Sequence, residues 1–194
     1  MKRQELVLGM FTLVILTSCG GGEPQDSSAA AVNAPKCTSD RACVTTVAGS
    51  GDVGITDGAA RAASFWLPYA VALDGSGGIH VADYAKRGHR TLGVDGNVTT
   101  SETEGVTFPY PANVAVDAQG NRYVADTNSD RILVTTAAGV TSTLAGNGHS
   151  GTADGDGRSA QFSLPSGLVM DHDGNLFVAD MGNRRIRKIT LPHH

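Results

Sequence analysis

Three gapless copies of one short pattern constrain the fold of this 194-residue chain more than any other feature. Each copy has a proline, an aspartate six residues later, and the aspartate of a Val-Ala-Asp triplet nine residues after that. The three sets are Pro68, Asp74 and Asp83; Pro111, Asp117 and Asp126; and Pro165, Asp171 and Asp180. Because short apolar runs alternate with Asp, Gly and Asn turns, the pattern predicts an antiparallel strand meander repeated three times.

Each repeat unit extends beyond this pattern. A further strand is expected before each copy, beginning at Val44, Val98 and Val140, and an Arg-Ile strand follows copies two and three. About four strands in each 43 to 54 residues is typical of a β-propeller blade. Copies one and three also share a glycine-rich loop, residues 49–66 and 146–163, most of which copy two lacks.

These residues resemble NHL repeats, whose pattern runs Pro-x-Gly-Val-Ala-Val-Asp, then Gly-Asn-x-Tyr-Val-Ala-Asp, then Asn-x-Arg-Ile. The resemblance covers residues 44–189, and copy one departs from it after Asp83. It implies an all-β fold of four-stranded antiparallel β-propeller blades, with the proline-led strand innermost and the Val-Thr-Thr strand outermost. NHL propellers usually have six blades, so three NHL-type blades are expected to form half of a six-bladed ring.

The repeated residues have simple physical roles. A proline at the start of a strand costs no ladder hydrogen bond. Asp74, Asp117 and Asp171 begin tight turns, where their carboxylates can accept backbone N–H groups. Asp126 and Asp180 each precede an arginine by five residues, Arg131 and Arg185, so a structural ion pair or a clamp across the turn is expected.

The N-terminus predicts an address outside the cytoplasm. Lys2 and Arg3 precede an apolar run, residues 6–16, that is too short to cross a bilayer and fits a signal peptide of residues 1–18. The sequence Leu-Thr-Ser-Cys-Gly ending at Gly20 resembles the lipobox of bacterial lipoproteins, which implies lipidation of Cys19. Since Gly20 replaces the aspartate of the inner-membrane retention signal, the resemblance favours the outer membrane of the bacterial cell envelope. The alternative is an ordinary secretory signal.

Residues 19–36 are small and polar, typical of a flexible tether, and precede the propeller segment, residues 37–194. With Cys19 lipidated, Cys37 and Cys43 are left in an oxidising compartment. One disulfide closing a small loop is expected, and two free thiols are the alternative.

Three blades are too few to close a ring. The expected strand at Val44 would be an outermost strand, whereas the third copy stops after its third strand at Thr190. We therefore expect a head-to-tail homodimer in which each copy contributes three blades and the Val44 strand completes a blade of the other copy. The alternative is a truncated propeller with exposed end strands.

The chemistry-bearing residues form no known catalytic or cofactor motif. The acidic run containing Asp154 and Asp156 predicts a turn, with a calcium site as the alternative. The histidines at unmatched repeat positions are expected at the surface: His80, His89, His149 and His172. The basic strand with Arg184, Arg185, Arg187 and Lys188 is expected to be solvated or to contact a neighbouring blade.

Two functions remain open. The net charge of −4, with both signs interspersed, disfavours nucleic acid as a partner. The first hypothesis is a non-catalytic scaffold that presents a propeller face to a protein or glycan partner. The second is an enzyme, since six-bladed relatives include lyases and lactonases with a metal in the central channel. The inner strands offer only Asn113 as a polar inward residue, which favours the scaffold.

Aromatic residues before the inner strands are expected in the core, and any exposed member would lie near a rim where ligands dock. These residues are Phe65, Trp66, Tyr69, Phe108, Tyr110 and Phe162.

Overall fold

A computed structural model describes residues 42, 44–84, 89–101 and 110–192 of the chain. The chain divides into two units, Met1–Thr45 and Thr46–His194, and every described strand lies in the second. Segment 1–18, tether 19–36, the three cysteines Cys19, Cys37 and Cys43, and Phe108 lie outside the described residues. Lipidation and the disulfide therefore stay predictions. No described helix is long and apolar enough to span a membrane.

The described residues form twelve strands in three antiparallel sheets. The strands are β1 Gly58–Ala59, β2 Pro68–Leu73, β3 Ile79–Asp83, β4 His89–Leu92, β5 Asn97–Ser101, β6 Pro111–Val116, β7 Arg122–Asp126, β8 Arg131–Thr135, β9 Thr141–Ala145, β10 Pro165–Met170, β11 Leu176–Asp180 and β12 Arg185–Ile189. Blade 1 has the order β1-β5-β4-β3-β2, blade 2 the order β6-β7-β8-β9, and blade 3 the order β10-β11-β12. The predicted all-β fold of antiparallel blades is confirmed.

The repeated prolines and turn aspartates have the predicted positions. Pro68, Pro111 and Pro165 are the first residues of the inner strands β2, β6 and β10. In the following turns the aspartate carboxylate accepts two backbone N–H groups, as in Asp117, whose Oδ1 lies 3.0 Å from Gln119 N and 2.8 Å from Asn121 N. In the matching turn of blade 3, the hydrogen bonds from Asn175 lower the pKa of Asp171.

The inner strands stack blade against blade through alternating residues. In β6, Val114 and Val116 pack toward the alanines of β2, whereas Ala115 packs in the opposite direction, toward Leu168 of β10. This alternation is the two-residue period of a strand buried on both faces. Two apolar clusters result, a small one between blades 1 and 2 and a larger one, centred on buried Phe162, Ile132 and Leu176, between blades 2 and 3.

The outer strands follow the prediction in two places and not in the third. β5 and β9 pair with the third strands of blades 1 and 2. The strand expected from Val44 is absent: residues 44–50 form no strand, and Val47 is 61% exposed. A strand exists only where a neighbour pairs with it, and none of the described strands pairs with this segment.

Candidate functional site

In blades 1 and 3 the Val-Ala-Asp aspartate holds the start of the inner strand. Asp83 is fully buried and accepts the backbone N–H groups of Trp66 and Leu67, the second at 2.7 Å. Asp180 does the same in blade 3, where it lies 2.8 Å from Ser163 N. A buried carboxylate needs such donors and a cation nearby, because an unpaired buried charge is strongly destabilising.

In blade 3 the cation is Arg187, on the third strand. Its Nη1 lies 3.0 Å from Asp180 Oδ2 and 2.8 Å from the Gln161 carbonyl, and its Nη2 donates to the Ala153 carbonyl and to Asp154. The guanidinium carbon also lies 5.1 Å from the centroid of the Phe162 ring. The long loop of residues 146–163 therefore wraps around this side chain.

Blade 1 repeats this arrangement around Arg90, which is only 1% exposed. The guanidinium donates to the carbonyls of Ser64 and Thr56, at 2.8 and 3.0 Å, and lies 3.5 Å from the Asp83 carboxylate. It also contacts Asp57, the counterpart of Asp154. Because Arg90 pairs with Val81 as Arg187 pairs with Val178, the two arginines occupy the same register position.

The expected aspartate–arginine pairs are only half correct. Arg131 Nε does lie 2.9 Å from Asp126 Oδ2. The pairing of Asp180 with Arg185 is wrong: Arg187 binds that carboxylate, and Arg185 is exposed and donates to the Thr152 carbonyl. The reason is the long loop, which brings carbonyl acceptors to both arginines and leaves the inner position to Arg187.

The acidic run forms a turn, as predicted. Asp156 Oδ1 accepts the backbone N–H groups of Arg158 and Ser159, at 2.8 and 3.2 Å. The Asp154 carboxylate contacts the Arg187 guanidinium instead of converging with Asp156. A cation already occupies the position that the calcium alternative requires, so these carboxylates are better explained by the turn.

Two histidines expected at the surface are buried instead. His80 and His89 are each 5% exposed, and His80 Nδ1 lies 2.8 Å from His89 Nε2. His80 Nε2 lies 2.9 Å from Asp74 Oδ2, so the carboxylate, His80 and His89 form one hydrogen-bonded chain. Since Asp74 accepts from His80 Nε2–H, His80 Nδ1 is the acceptor for the His89 Nε2–H donor. His149 and His172 are exposed as predicted.

The environment keeps both rings neutral at pH 7. Burial lowers the pKa of His89 to about 3, with added repulsion from Arg122 and His80. Burial also lowers the pKa of His80, against the opposing effect of the Asp74 bond. The hydrogen bond from Ser76, followed by that from His80, lowers the pKa of Asp74. Asp74, His80 and His89 therefore form a buried hydrogen-bonded network of one carboxylate and two neutral imidazoles.

The histidine chain is specific to blade 1. At the position of His80, blade 2 has Tyr123, whose hydroxyl lies 2.9 Å from Asp117 Oδ2, and blade 3 has Phe177. The hydrogen bond of the turn aspartate can thus be made by a phenol as well as by an imidazole.

Among the described residues, no group of three or more His, Cys, Asp and Glu side chains has a geometry suited to a metal ion.

A second candidate site is the aromatic rim, which we define as Trp66, Leu67, Tyr84, Tyr110 and Met181. These residues lie where inner strands begin and second strands end. Trp66, Leu67 and Met181 are 53%, 52% and 55% exposed. The Tyr84 and Tyr110 rings lie 4.9 Å apart and join blade 1 to blade 2. The aromatic residues before the inner strands were expected to pack in the core. This is confirmed for Phe162, whereas Trp66 and Tyr69 are exposed.

Sequence reasoning missed the buried arginines and histidines. Arg90 and Arg187 could have been found, because each occupies the same position in a copy that carries the long loop. The histidine chain had no such signal, since His80 and His89 have no histidine counterparts in the other copies.

Comparison with known proteins supports the repeat assignment. Part of the chain is 41% identical over 83 residues to NHL repeat-containing protein 2 of Gallus gallus, covering 42% of this chain and 11% of that protein. Another match is 37% identical over 87 residues to Protein SUPPRESSOR OF QUENCHING 1, chloroplastic, of Arabidopsis thaliana, covering 44% of this chain and 8% of that protein. The chain thus spans about a tenth of these relatives. The homology confirms the NHL resemblance. No protein-family model matches the chain.

Solved structures agree on the fold, and the neighbours are β-propeller proteins. A protein of unknown function from Bacteroides thetaiotaomicron has a TM-score of 0.50 at 24% identity, over 57% of this chain and 30% of that one. Virginiamycin B lyase from Staphylococcus aureus is similar with a TM-score of 0.46 at 14% identity, over 65% of this chain and 42% of that one. An auxiliary nutrient binding protein from B. thetaiotaomicron is similar with a TM-score of 0.49 at 23% identity, over 62% of this chain and 36% of that one. At these identities the likeness describes a fold and carries no argument about activity.

Proposed function

We propose that this protein is an envelope-anchored NHL-repeat lipoprotein that acts as a non-catalytic scaffold and binds a protein or glycan partner at its aromatic rim. The observation that carries the proposal is the exposure of large apolar side chains at one end of the blades. Trp66 is more than half exposed beside Leu67. The Tyr84 and Tyr110 rings, which contact each other at a tilt of 48° and are partly exposed, continue the same surface.

The rim has the composition of a recognition surface. Indole and phenol rings give a large contact area at a small cost in side-chain entropy, and they carry a polar group for orientation. Trp and Tyr are enriched among the residues that dominate binding energy. Backbone bonds from Trp66 and Leu67 to the buried Asp83 hold the rim in place, so it is rigid before a partner arrives.

Trp66 is the single tryptophan of the chain and therefore reports on its own environment. We expect titration with cell-envelope glycan fragments or with isolated envelope proteins to shift its fluorescence. Trp66→Ala should weaken binding at least ten-fold by calorimetry. Val94→Ala removes another exposed apolar side chain, 74% exposed in the β4–β5 turn, and should leave binding unchanged. Equal affinities of the two variants would contradict the rim as the site.

The anchor is a separate part of the proposal. Lipidation of Cys19 would place the rim outside the membrane on the tether of residues 19–36, with the outer membrane as the expected location. Intact mass of the chain purified from membranes should show diacylglycerol on Cys19 and loss of residues 1–18. Cys19→Ser should release the protein to the soluble fraction. An unmodified Cys19 in a membrane-bound chain would contradict this part.

The second candidate function is that of an enzyme, and it is favoured by the hydrogen-bonded network of Asp74, His80 and His89. Stoichiometric metal in the purified protein, measured by plasma mass spectrometry and lost in His80→Gln, would support the lyase or lactonase type. Retention of full binding at the rim in His80→Gln, without bound metal in the parent, would support the scaffold.

A further inference from the structure

We infer that blade 3 accepts a fourth strand from a second copy of this chain, and that the donated strand is residues 44–48. The inference concerns assembly and is independent of the rim and its partner. It commits to one register, in which Thr46 of one copy lies opposite Arg187 of the other.

The acceptor is the free edge of β12. Among the described strands, β12 pairs only with β11, whereas the third strands of blades 1 and 2 pair on both sides. An unpaired edge presents N–H and C=O groups that another strand can satisfy. Beside this edge lies a groove of about 740 Å³, lined by residues 154–157, 160 and 162 of the long loop and by residues 185–190.

Blade 1 shows what fills such a groove. There β5 pairs with β4, so that Thr100 lies opposite Arg90, and the loop carboxylate of Asp57 binds the strand. Thr100 N lies 2.8 Å from Asp57 Oδ2, and Thr100 Oγ1 lies 2.8 Å from Asp57 Oδ1. Val98, two residues earlier, is buried to 1% exposure.

Blade 3 has every element of this site except the strand. Arg187 and Phe162 match Arg90 and Phe65, and Asp154 contacts its arginine as Asp57 does. The carboxylates differ in exposure: the Asp57 side chain is 45% exposed and that of Asp154 is 87% exposed. The carboxylate of Asp154 is thus presented to a strand that has yet to bind.

The sequence identifies the donor. Residues 44–46 read Val-Thr-Thr, identical to residues 98–100 in β5. The segment also precedes the loop of residues 49–66 by the same spacing with which residues 141–145, in β9, precede residues 146–163. Transfer of the blade 1 register puts Val44 opposite Ile189, Thr45 opposite Lys188, and Thr46 opposite Arg187, with the Thr46 hydroxyl and N–H directed at Asp154.

Both end blades also have apolar faces that the pairing would cover. On blade 1, Val71 and Leu73 are 65% and 69% exposed, although Val114, the counterpart of Val71 in blade 2, is 3% exposed against a neighbouring blade. On blade 3, Val169 and Ile186 are 61% and 74% exposed, although their counterparts in blade 2, Ala115 and Ile132, are buried. Two copies joined head to tail would cover both faces, and a two-fold axis would close the ring.

A cysteine pair tests the register directly. We propose Thr45→Cys and Lys188→Cys, introduced into separate full-length chains that are mixed in detergent and oxidised. The expected product is a heterodimer linked through residues 45 and 188, identified by peptide mass mapping. The control pairs Thr45→Cys with Arg185→Cys, three residues out of register, and should crosslink at least ten-fold less. Equal crosslinking of both pairs would overturn the register.

Sedimentation of the unmodified full-length chain in detergent tests the assembly. We expect a dimer, and Asp154→Asn should raise its dissociation constant at least ten-fold, because one acceptor oxygen is lost and the other no longer carries a charge. Asp173→Asn changes the same charge in an exposed turn and should leave the constant unchanged. A monomer at all concentrations, or a dimer insensitive to Asp154→Asn that forms no 45–188 crosslink, would overturn the inference.

Discussion

Blades 1 and 3 neutralise their buried Val-Ala-Asp aspartate differently from blade 2. In blades 1 and 3 a buried arginine of the third strand lies between the aspartate and the carbonyls of the long loop. In blade 2 the same strand position is Leu133, 1% exposed, and the cation is the half-buried Arg131 at the strand start. Asp126 is fully buried, and among the described residues its Oδ1 has no hydrogen-bond partner.

The difference shows that the long loop and the buried arginine depend on each other. A guanidinium has five N–H donors, and it can be buried only where acceptors surround it. The loop supplies two carbonyls and a carboxylate to Arg187. Copy two lacks most of this loop, so an apolar Leu133 is the side chain that fits there.

The largest effect should come from placing the blade 2 residue in blade 1. Arg90→Leu leaves the Asp83 carboxylate buried without its cation and removes the donors to the loop. We expect a loss of about 3–5 kcal/mol in the free energy of unfolding, measured by urea denaturation. Arg61→Leu, at an exposed arginine of the same loop, should cost less than about 0.5 kcal/mol. Similar costs for both variants would refute the dependence of loop on arginine.

The second-largest effect should be a pH dependence of the unfolding free energy that comes from His89 of blade 1. The folded state lowers the pKa of His89 to about 3, so only the unfolded chain binds this proton between that value and 6.5. Stability is therefore present above pH 6.5 and is lost as the pH falls through this window, by about 2 kcal/mol between pH 7 and 5. His89→Ile, which copies Ile132 of blade 2, should flatten the curve of unfolding free energy against pH. His172→Ile, at an exposed position, should leave the slope unchanged.

Removal of the blade 2 cation should have a smaller effect than removal of Arg90. Arg131→Gln leaves Asp126 buried, but the Arg131 side chain is 30% exposed and an amide can still donate one hydrogen bond. We expect a loss of about 1–2 kcal/mol by urea denaturation. A loss as large as that of Arg90→Leu would mean that the two ways of neutralising the aspartate are equivalent.

The smallest effect concerns the turn aspartates. Tyr123→Phe gives blade 2 the side chain of blade 3 and removes the 2.9 Å hydrogen bond to Asp117. The expected cost is about 1 kcal/mol, since the carboxylate keeps its backbone donors. Thermal unfolding of Tyr123→Phe beside Tyr69→Phe, an exposed tyrosine, measures this difference. Equal melting temperatures would show that the phenol contributes no stability.

Much of the fold could be predicted because it depends on local pattern. Proline at a strand start and aspartate before a Gly-containing turn act within a few residues, and both occupy the expected positions in all three copies. Ring closure, lipidation of Cys19 and the partner stay predictions, since they depend on other molecules.

The candidate site could be predicted less well because it depends on cross-strand register. Whether Arg185 or Arg187 reaches Asp180 is decided by the path of the loop 26 to 34 positions earlier in the chain. Burial of His80 and His89 depends on contacts between strands, and no histidine at the matching positions of the other copies signals it. The prediction of a strand at Val44 was wrong because a segment becomes a strand by pairing with a neighbour, and not by its composition alone.

The alternating inner strands have a consequence for how such chains change in length. The apolar contacts between inner strands join the same two sets of positions, as Val114 and Val116 meet the alanines of β2 and Leu168 meets Ala115. Any copy can therefore follow any other without a new interface, so duplication or deletion of a whole repeat preserves the packing. Only the two outermost faces must then adapt, which concentrates the evolutionary pressure on a handful of residues at the ends.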